Sequence, residues 1–180
     1  MAYTTLDAPS AYFQTATYSG SSSDLTVTND GNSDLKPDWL WIKQRSSTEN
    51  HMLVDSTRGV TKYLISDSTT AEQTVTSRVA TLDTDGFTLN GASNPVNAAG
   101  ATYVGWQWKA NGGTTTAFSE SGANPGGTRQ TNTTAGFSII GYTGTGSNGT
   151  IAHGLPSTPE FIIFKRRDAD QFWCVWHQAI

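Results

Sequence analysis

The sequence holds one cysteine, Cys174, in 180 residues. A single thiol staples nothing within a chain, so a disulfide framework is excluded, and Cys174, inside a strand-like run, is expected as a small buried hydrophobe. Charge is scarce too: charged residues make up 14% of the chain and the net charge is −4. A general nucleic-acid binder needs a basic face to hold phosphates. The only basic cluster, Lys165-Arg166-Arg167, reads instead as the end of a hairpin. No run approaches the roughly 18 apolar residues of a membrane span. The N-terminal stretch "MAYTTLDAPSAYFQ" lacks the basic-then-apolar order of a signal peptide. The expectation is a soluble chain made without secretion, with no nucleic-acid or membrane partner.

Helical patterning is also missing. Asp7-Ala8-Pro9-Ser10 reads as one short helix start, an Asp cap with Pro in the first turn. Beyond it, short runs rich in Thr and aromatics alternate with turns rich in Gly, Asn and Asp. "DWLWIKQ" places Trp39 and Trp41 on one face and Leu40 and Ile42 on the other, the pattern of a central strand covered on both sides. "TYVGWQWKA" places Val104, Trp106 and Trp108 on one face. Its other face, with Tyr103, Gly105, Gln107 and Lys109, is expected to be the wetter one. Many short strands and almost no helix predict an all-β, antiparallel β-sandwich of jelly-roll or lectin-like type, with Trp39, Trp41, Trp106 and Trp108 in its core.

The chain repeats itself. Residues 37–54, "PDWLWIKQRSSTENHMLV", align without a gap on the segment that starts at Pro159: Lys43 falls on Lys165, Arg45 on Arg167 and Leu53 on Val175. "YSG" (Tyr18–Gly20) matches "YTG" (Tyr142–Gly144), and Phe13 matches Phe137. The repeating unit is domain-sized rather than a solenoid turn. The expected map is an N-terminal arm over 1–10, a first unit over 11–134 that includes a Gly-rich linker over 110–134, and the first third of a second unit over 135–180. The expectation is therefore the N-terminal portion of a longer protein, or a half-unit completed by another chain.

Catalytic and metal patterns are weak. "LDTDG" lacks the flanking ligands of a calcium loop and reads as a hairpin turn in which Gly86 supplies positive φ. "GYTGTGSNGT" has no Lys and no following helix, so it is a loop rather than a phosphate cradle. His51, His153 and His177 fall in no metal-ligand array and are expected in structural roles. Glu49 and Asp55 share a strand face about 20 Å apart, too far to flank one glycosidic bond. Asp83 and Asp85 sit within the turn. No enzyme activity, no cofactor and no metal are expected.

"DAPSAYFQTATYSG", "NDGNSDLKPDWLWIKQR", "VDSTRG", "DTDGFTLN", "YVGWQWKANGG" and "TTAGFSIIGYTGTGSNGTIAHGL" together resemble a domain repeated in large virion proteins of tailed bacteriophages, often marine phages and cyanophages. That resemblance implies a lectin-like sandwich in tandem copies on the virion exterior and carries over no catalytic residue. It points to the N-terminal part of a tail fibre or similar appendage, with a capsid decoration protein or a carbohydrate-binding module as alternatives. The implied partners are other virion proteins of the tail or an adaptor, further copies of the chain as a homo-oligomer (a trimer favoured), and a host glycan at the distal end. Aromatic residues are enriched in the buried parts of interfaces, so Tyr3, Thr4, Thr5, Leu6 and Tyr12 are the candidate interface residues. Phe13 is expected to turn toward the core.

Overall fold

A computed structural model describes residues 6–91 and 95–180. Strands dominate it. They are β1 (Phe13–Ser19), β2 (Leu25–Val27), β3 (Trp39–Gln44), β4 (Met52–Asp55), β5 (Lys62–Leu64), β6 (Gln73–Thr74), β7 (Val79–Asp83) and β8 (Gly86–Leu89). They continue with β9 (Thr102–Trp108), β10 (Thr116–Phe118), β11 (Gly127–Asn132), β12 (Phe137–Tyr142), β13 (Phe161–Phe164) and β14 (Cys174–His177). The expected N-terminal helix is one 3₁₀ turn, Pro9–Ala11, which follows Ala8 and has no side-chain cap.

The first unit is an antiparallel β-sandwich. A six-stranded sheet in the order β1-β9-β3-β4-β5-β6 faces a three-stranded sheet in the order β2-β8-β7. Between them lie Leu40, Ile42, Met52, Val54 and Tyr103 from the large sheet and Val27, Val79, Phe87 and Leu89 from the small one. Full burial of each large apolar side chain stabilises by about 1.5–3 kcal/mol. Strand alternation therefore commits the even-numbered side chains of β3 and the odd-numbered ones of β9 to this core.

That assignment reverses the one expected for the tryptophans. Trp39, Trp41, Trp106 and Trp108 lie on the opposite face, half-buried. The face of β9 expected to be wetter is the buried one: Tyr103 and Gln107 are both fully buried. The reason is local. Gly105 leaves room for the small sheet, since a Cβ there would meet Phe87 at 3.2 Å and Leu40 at 3.4 Å. A loop accepts from the side-chain NH2 groups on this face, with Gln107 Nε2 donating to Asn29 Oδ1 at 2.5 Å and Gln14 Nε2 to the Ser33 carbonyl at 2.7 Å. Phe13, expected in the core, is 42% exposed on the tryptophan side.

The "LDTDG" stretch is the β7–β8 turn, as expected. Gly86 has φ +99, and a Cβ there would lie 2.0 Å from the Val27 carbonyl oxygen. Residues 110–134, expected as a linker, instead form β10 and β11, which pair with β12 in a three-stranded sheet.

β13 and β14 form a two-stranded sheet that reproduces the β3–β4 hairpin. Trp39 pairs with Asp55 and Ile42 with Met52; Phe161 pairs with His177 and Phe164 with Cys174. Adding 122 to each number of the first pair gives the second. The closing bond repeats as well: Ser56 N–H donates to the Asp38 carbonyl, and Gln178 N–H to the Glu160 carbonyl. Cys174, expected to be buried, is exposed, whereas its counterpart Met52 is buried. The small sheet that covers Met52 has no equivalent over Cys174 among the described residues.

Candidate functional site

β1, β9 and β3 lie side by side and lift their odd, even and odd side chains, respectively, onto one outer surface. The cross-strand neighbours Phe13, Trp108 and Trp39 form one row, and Thr15, Trp106 and Trp41 the next. The rings touch: Phe13 and Trp108 have centroids 4.9 Å apart, Trp39 and Trp108 5.3 Å, and Trp41 meets Trp106 edge-on at 5.9 Å. Such contacts add about 0.5–1.5 kcal/mol each beyond area burial. They also join the rings into one continuous aromatic plate.

The plate has a polar edge. Trp41 Nε1 donates to His51 Nδ1 at 2.8 Å, so His51 must keep that nitrogen unprotonated. Burial holds the His51 pKa below its ordinary value, Asp67 pulls it upward, and the Lys43 ammonium adds to the lowering.

One end of the plate is covered. Phe137, the first residue of β12 and the counterpart of Phe13, stacks on Trp39 at 5.7 Å with a 15° interplanar angle. It also stacks on Trp108 at 6.5 Å. The leading strand of the second unit thus rests on the tryptophans of the first. Side-chain bonds from the adjoining β11 hold it there: Asn132 Nδ2 donates to the Ala110 carbonyl at 3.3 Å, and Gln130 Nε2 donates to Ser56 Oγ and Thr57 Oγ1 at 2.9 and 2.7 Å. Ser56 in turn donates to Asp38 Oδ1 at 2.5 Å. Asp38, fully buried, also accepts from the N–H groups of Ala110 and Gly112 through Oδ2.

A second seam joins the two units through charge. Arg58 bonds Asp55 at 2.6 Å and Glu72 at 2.9 Å, with all three side chains nearly buried. Glu72 also takes Arg167, just beyond β13, at 2.8 Å. Burial pushes the Glu72 carboxyl up, but the hydrogen bonds and charges of Arg167 and Arg58 more than reverse this, leaving its pKa below the usual value. Around this seam, Glu72 N–H donates to the Arg167 carbonyl, Gln171 N–H to the Thr69 carbonyl, and Trp173 Nε1 to the Ile65 carbonyl at 2.9 Å. The basic cluster therefore contacts the chain's own acidic residue.

Of the candidate interface residues, Tyr3, Thr4 and Thr5 lie outside the described residues. Leu6 and Tyr12 are half-buried, and the Tyr12 carbonyl accepts from Lys109 N–H at 2.9 Å, which extends the β1–β9 pairing by one residue beyond the strands. No group of three or more His, Cys, Asp or Glu able to hold a metal occurs among the described residues. His153 Nδ1 accepts from Leu155 N–H at 3.0 Å and His177 Nδ1 from Ala179 N–H at 3.1 Å, which are local turn bonds. Neither the aromatic plate nor the Arg58–Glu72–Arg167 seam was singled out from sequence. The signal for the plate was the alternation that puts Trp39 with Trp41 and Trp106 with Trp108, expected from sequence as a core face; the Phe13–Phe137 equivalence pointed to the ring that covers it.

A family model described as "Domain of unknown function (DUF7483)" matches residues 8–180. The chain belongs to this family. The DUF7483 match takes in the sandwich, the aromatic plate and the second hairpin together. No curated protein and no solved structure matches the chain.

Proposed function

We propose that this DUF7483 chain is a structural part of a bacteriophage virion, the particle-proximal portion of a tail fibre or similar appendage. In this reading tandem sandwiches dock one on the next through their aromatic faces. The observation that carries it is Phe137 stacked on Trp39 and Trp108. A residue equivalent to Phe13 closes the face of the preceding unit, so the same chemistry extends along a string of units. The sequence resemblance to repeated virion domains supports the setting, and multi-copy assembly, with a trimer favoured, goes with it. Residues 1–10 would join the chain to the tail or an adaptor.

A second reading is favoured by one feature. Trp41 and Trp106 stay half-buried beside His51 and Lys43, and an aromatic surface with polar neighbours also suits a carbohydrate ring. In a fibre, such a face would meet a host glycan. Antibodies against residues 6–180 distinguish these settings. Gold label along the appendages of purified particles supports the first reading. Label on the capsid shell moves the chain to a decoration role. Particles that carry no label and lack the chain by mass spectrometry rule out the virion reading, and a glycan-array hit abolished by Trp41→Ala would put the second in its place.

A further inference from the structure

In the first unit β9 lies between β1 and β3, and hydrogen bonds show which edges it fills. Gly20 N–H donates to the Ala101 carbonyl and Lys109 N–H to the Tyr12 carbonyl, so even-numbered residues of β1 face β9. Arg45 N–H donates to the Thr102 carbonyl, so odd-numbered residues of β3 face it from the other side. The repeat offsets, 124 for β12 and 122 for β13, are even and preserve this parity.

In the second unit both of these edges are bare. Thr143 N–H donates to the Gly126 carbonyl, which turns the odd-numbered residues of β12 toward β11. The backbone groups of Ser138 and Ile140 therefore point away from it, along the edge equivalent to the one β9 fills on β1. Gln178 N–H donates to the Glu160 carbonyl, which turns the even-numbered residues of β13 toward β14 and leaves Phe161 and Ile163 on the outer edge. No strand pairs with either edge among the described residues. The apolar cost is visible in the same hairpin: Phe164 and Trp176 are 36% and 42% exposed, whereas their counterparts Ile42 and Val54 are 1% exposed. Unpaired strand edges with exposed apolar side chains are templates for strand addition.

We infer that β12 and β13 form the two walls of a strand-acceptor slot, and that its occupant is one antiparallel strand of β9 chemistry. Such a strand alternates aromatic side chains on one face with Tyr, Gly and Gln on the other, as "TYVGWQW" does. It comes from polypeptide other than that which forms β1–β14. The β9 of a second copy is not free to donate it, because that strand is already paired along both edges, with β1 and β3. Insertion joins the β10-β11-β12 and β13-β14 sheets into one. The inference rests on ladder parity and holds whether or not the chain is a virion component.

The test uses the 180-residue chain and a synthetic peptide of residues 101–110, "ATYVGWQWKA", as probe. The expected result is a 1:1 complex in which the amides of Ser138, Ile140, Phe161 and Ile163 all become protected from hydrogen exchange. Two backbone-methylated peptides separate the walls. In β9, odd residues face β1 and even residues face β3, so N-methylation at Gly105 and Gln107 removes the bonds to β12, and at Val104 and Trp106 those to β13. Each should weaken binding about tenfold or more while leaving every side chain unchanged. Absence of binding overturns the inference. So does protection of one wall alone, equal binding by a Gly105→Pro peptide, or self-association of the chain that masks these amides and is not displaced by the peptide.

Discussion

Replacing Glu72 with alanine should cost far more than replacing Arg167, although the two side chains share a salt bridge. Glu72 is 11% exposed and holds Arg58, itself 8% exposed, at 2.9 Å. A lost charge-assisted hydrogen bond at such a site is worth about 1.5–3 kcal/mol. The larger ~3–5 kcal/mol of an orphaned buried charge is not reached, because Arg58 keeps Asp55 at 2.6 Å. Arg167 is 45% exposed, so solvent screening limits Arg167→Ala to about 1 kcal/mol or less. The assay is urea unfolding of both single variants and the double variant, which yields the coupling between them. A coupling below about 1 kcal/mol, with Glu72→Ala costing at least twice as much as Arg167→Ala, is the expected outcome. Acidity adds a second readout. The folded Glu72 pKa lies below its ordinary 4.5, so its stabilisation is present above that value and is lost as pH falls through the folded one. Equal costs for the two variants, or no acid-dependent loss that disappears in Glu72→Gln, would refute the assignment of Glu72 as the buried hinge of the seam.

Three further outcomes follow from the same geometry. Asp38→Ala leaves the Ala110 and Gly112 N–H groups unpaired and should cost about 3 kcal/mol or more; its exposed counterpart Glu160→Ala should stay within about 0.5 kcal/mol, both read by chemical denaturation. Phe137→Ala should remove about 1 kcal/mol of ring stacking and change the near-ultraviolet circular dichroism of the tryptophans, whereas Tyr142→Ala should leave that spectrum unaltered. Because the folded His51 pKa is depressed below 6.5, its contribution is full above that pH and declines as pH falls toward the folded value. Thermal unfolding between pH 7 and 5 should show this decline, and His51→Gln should flatten it.

The alternation of β3 and β9 and the all-β architecture were legible because period-two patterning and turn residues are local signals. The identity of the core face was not. Both faces of β3 are apolar, and residue size favoured the tryptophans. The decision rests on Gly105, whose missing Cβ admits Phe87, and on loop groups such as Asn29, which accepts from the Gln107 side-chain NH2. These are contacts between residues far apart in sequence. The repeat was visible as an offset of 122, and the hairpin register follows it pair by pair. The seating of Phe137 on Trp39 and the Arg58–Glu72–Arg167 seam arise only once the two units meet, and no spacing within either unit encodes them. Residues 110–134 read as linker because Gly, Asn and Thr dominate them, yet Gln130, fully buried, anchors a strand through its side-chain bonds to Ser56 and Thr57.

The central claim is that the aromatic face is a docking surface between consecutive units of a virion appendage. A cryo-electron-microscopy reconstruction of the particle tests it most directly. The account expects tandem sandwiches along an appendage, with a phenylalanine of each following unit seated on the tryptophan pair of the one before it, as Phe137 sits on Trp39 and Trp108. Appendage density in which that face is open to solvent or stacked on a sugar, or a particle without the chain, would contradict it.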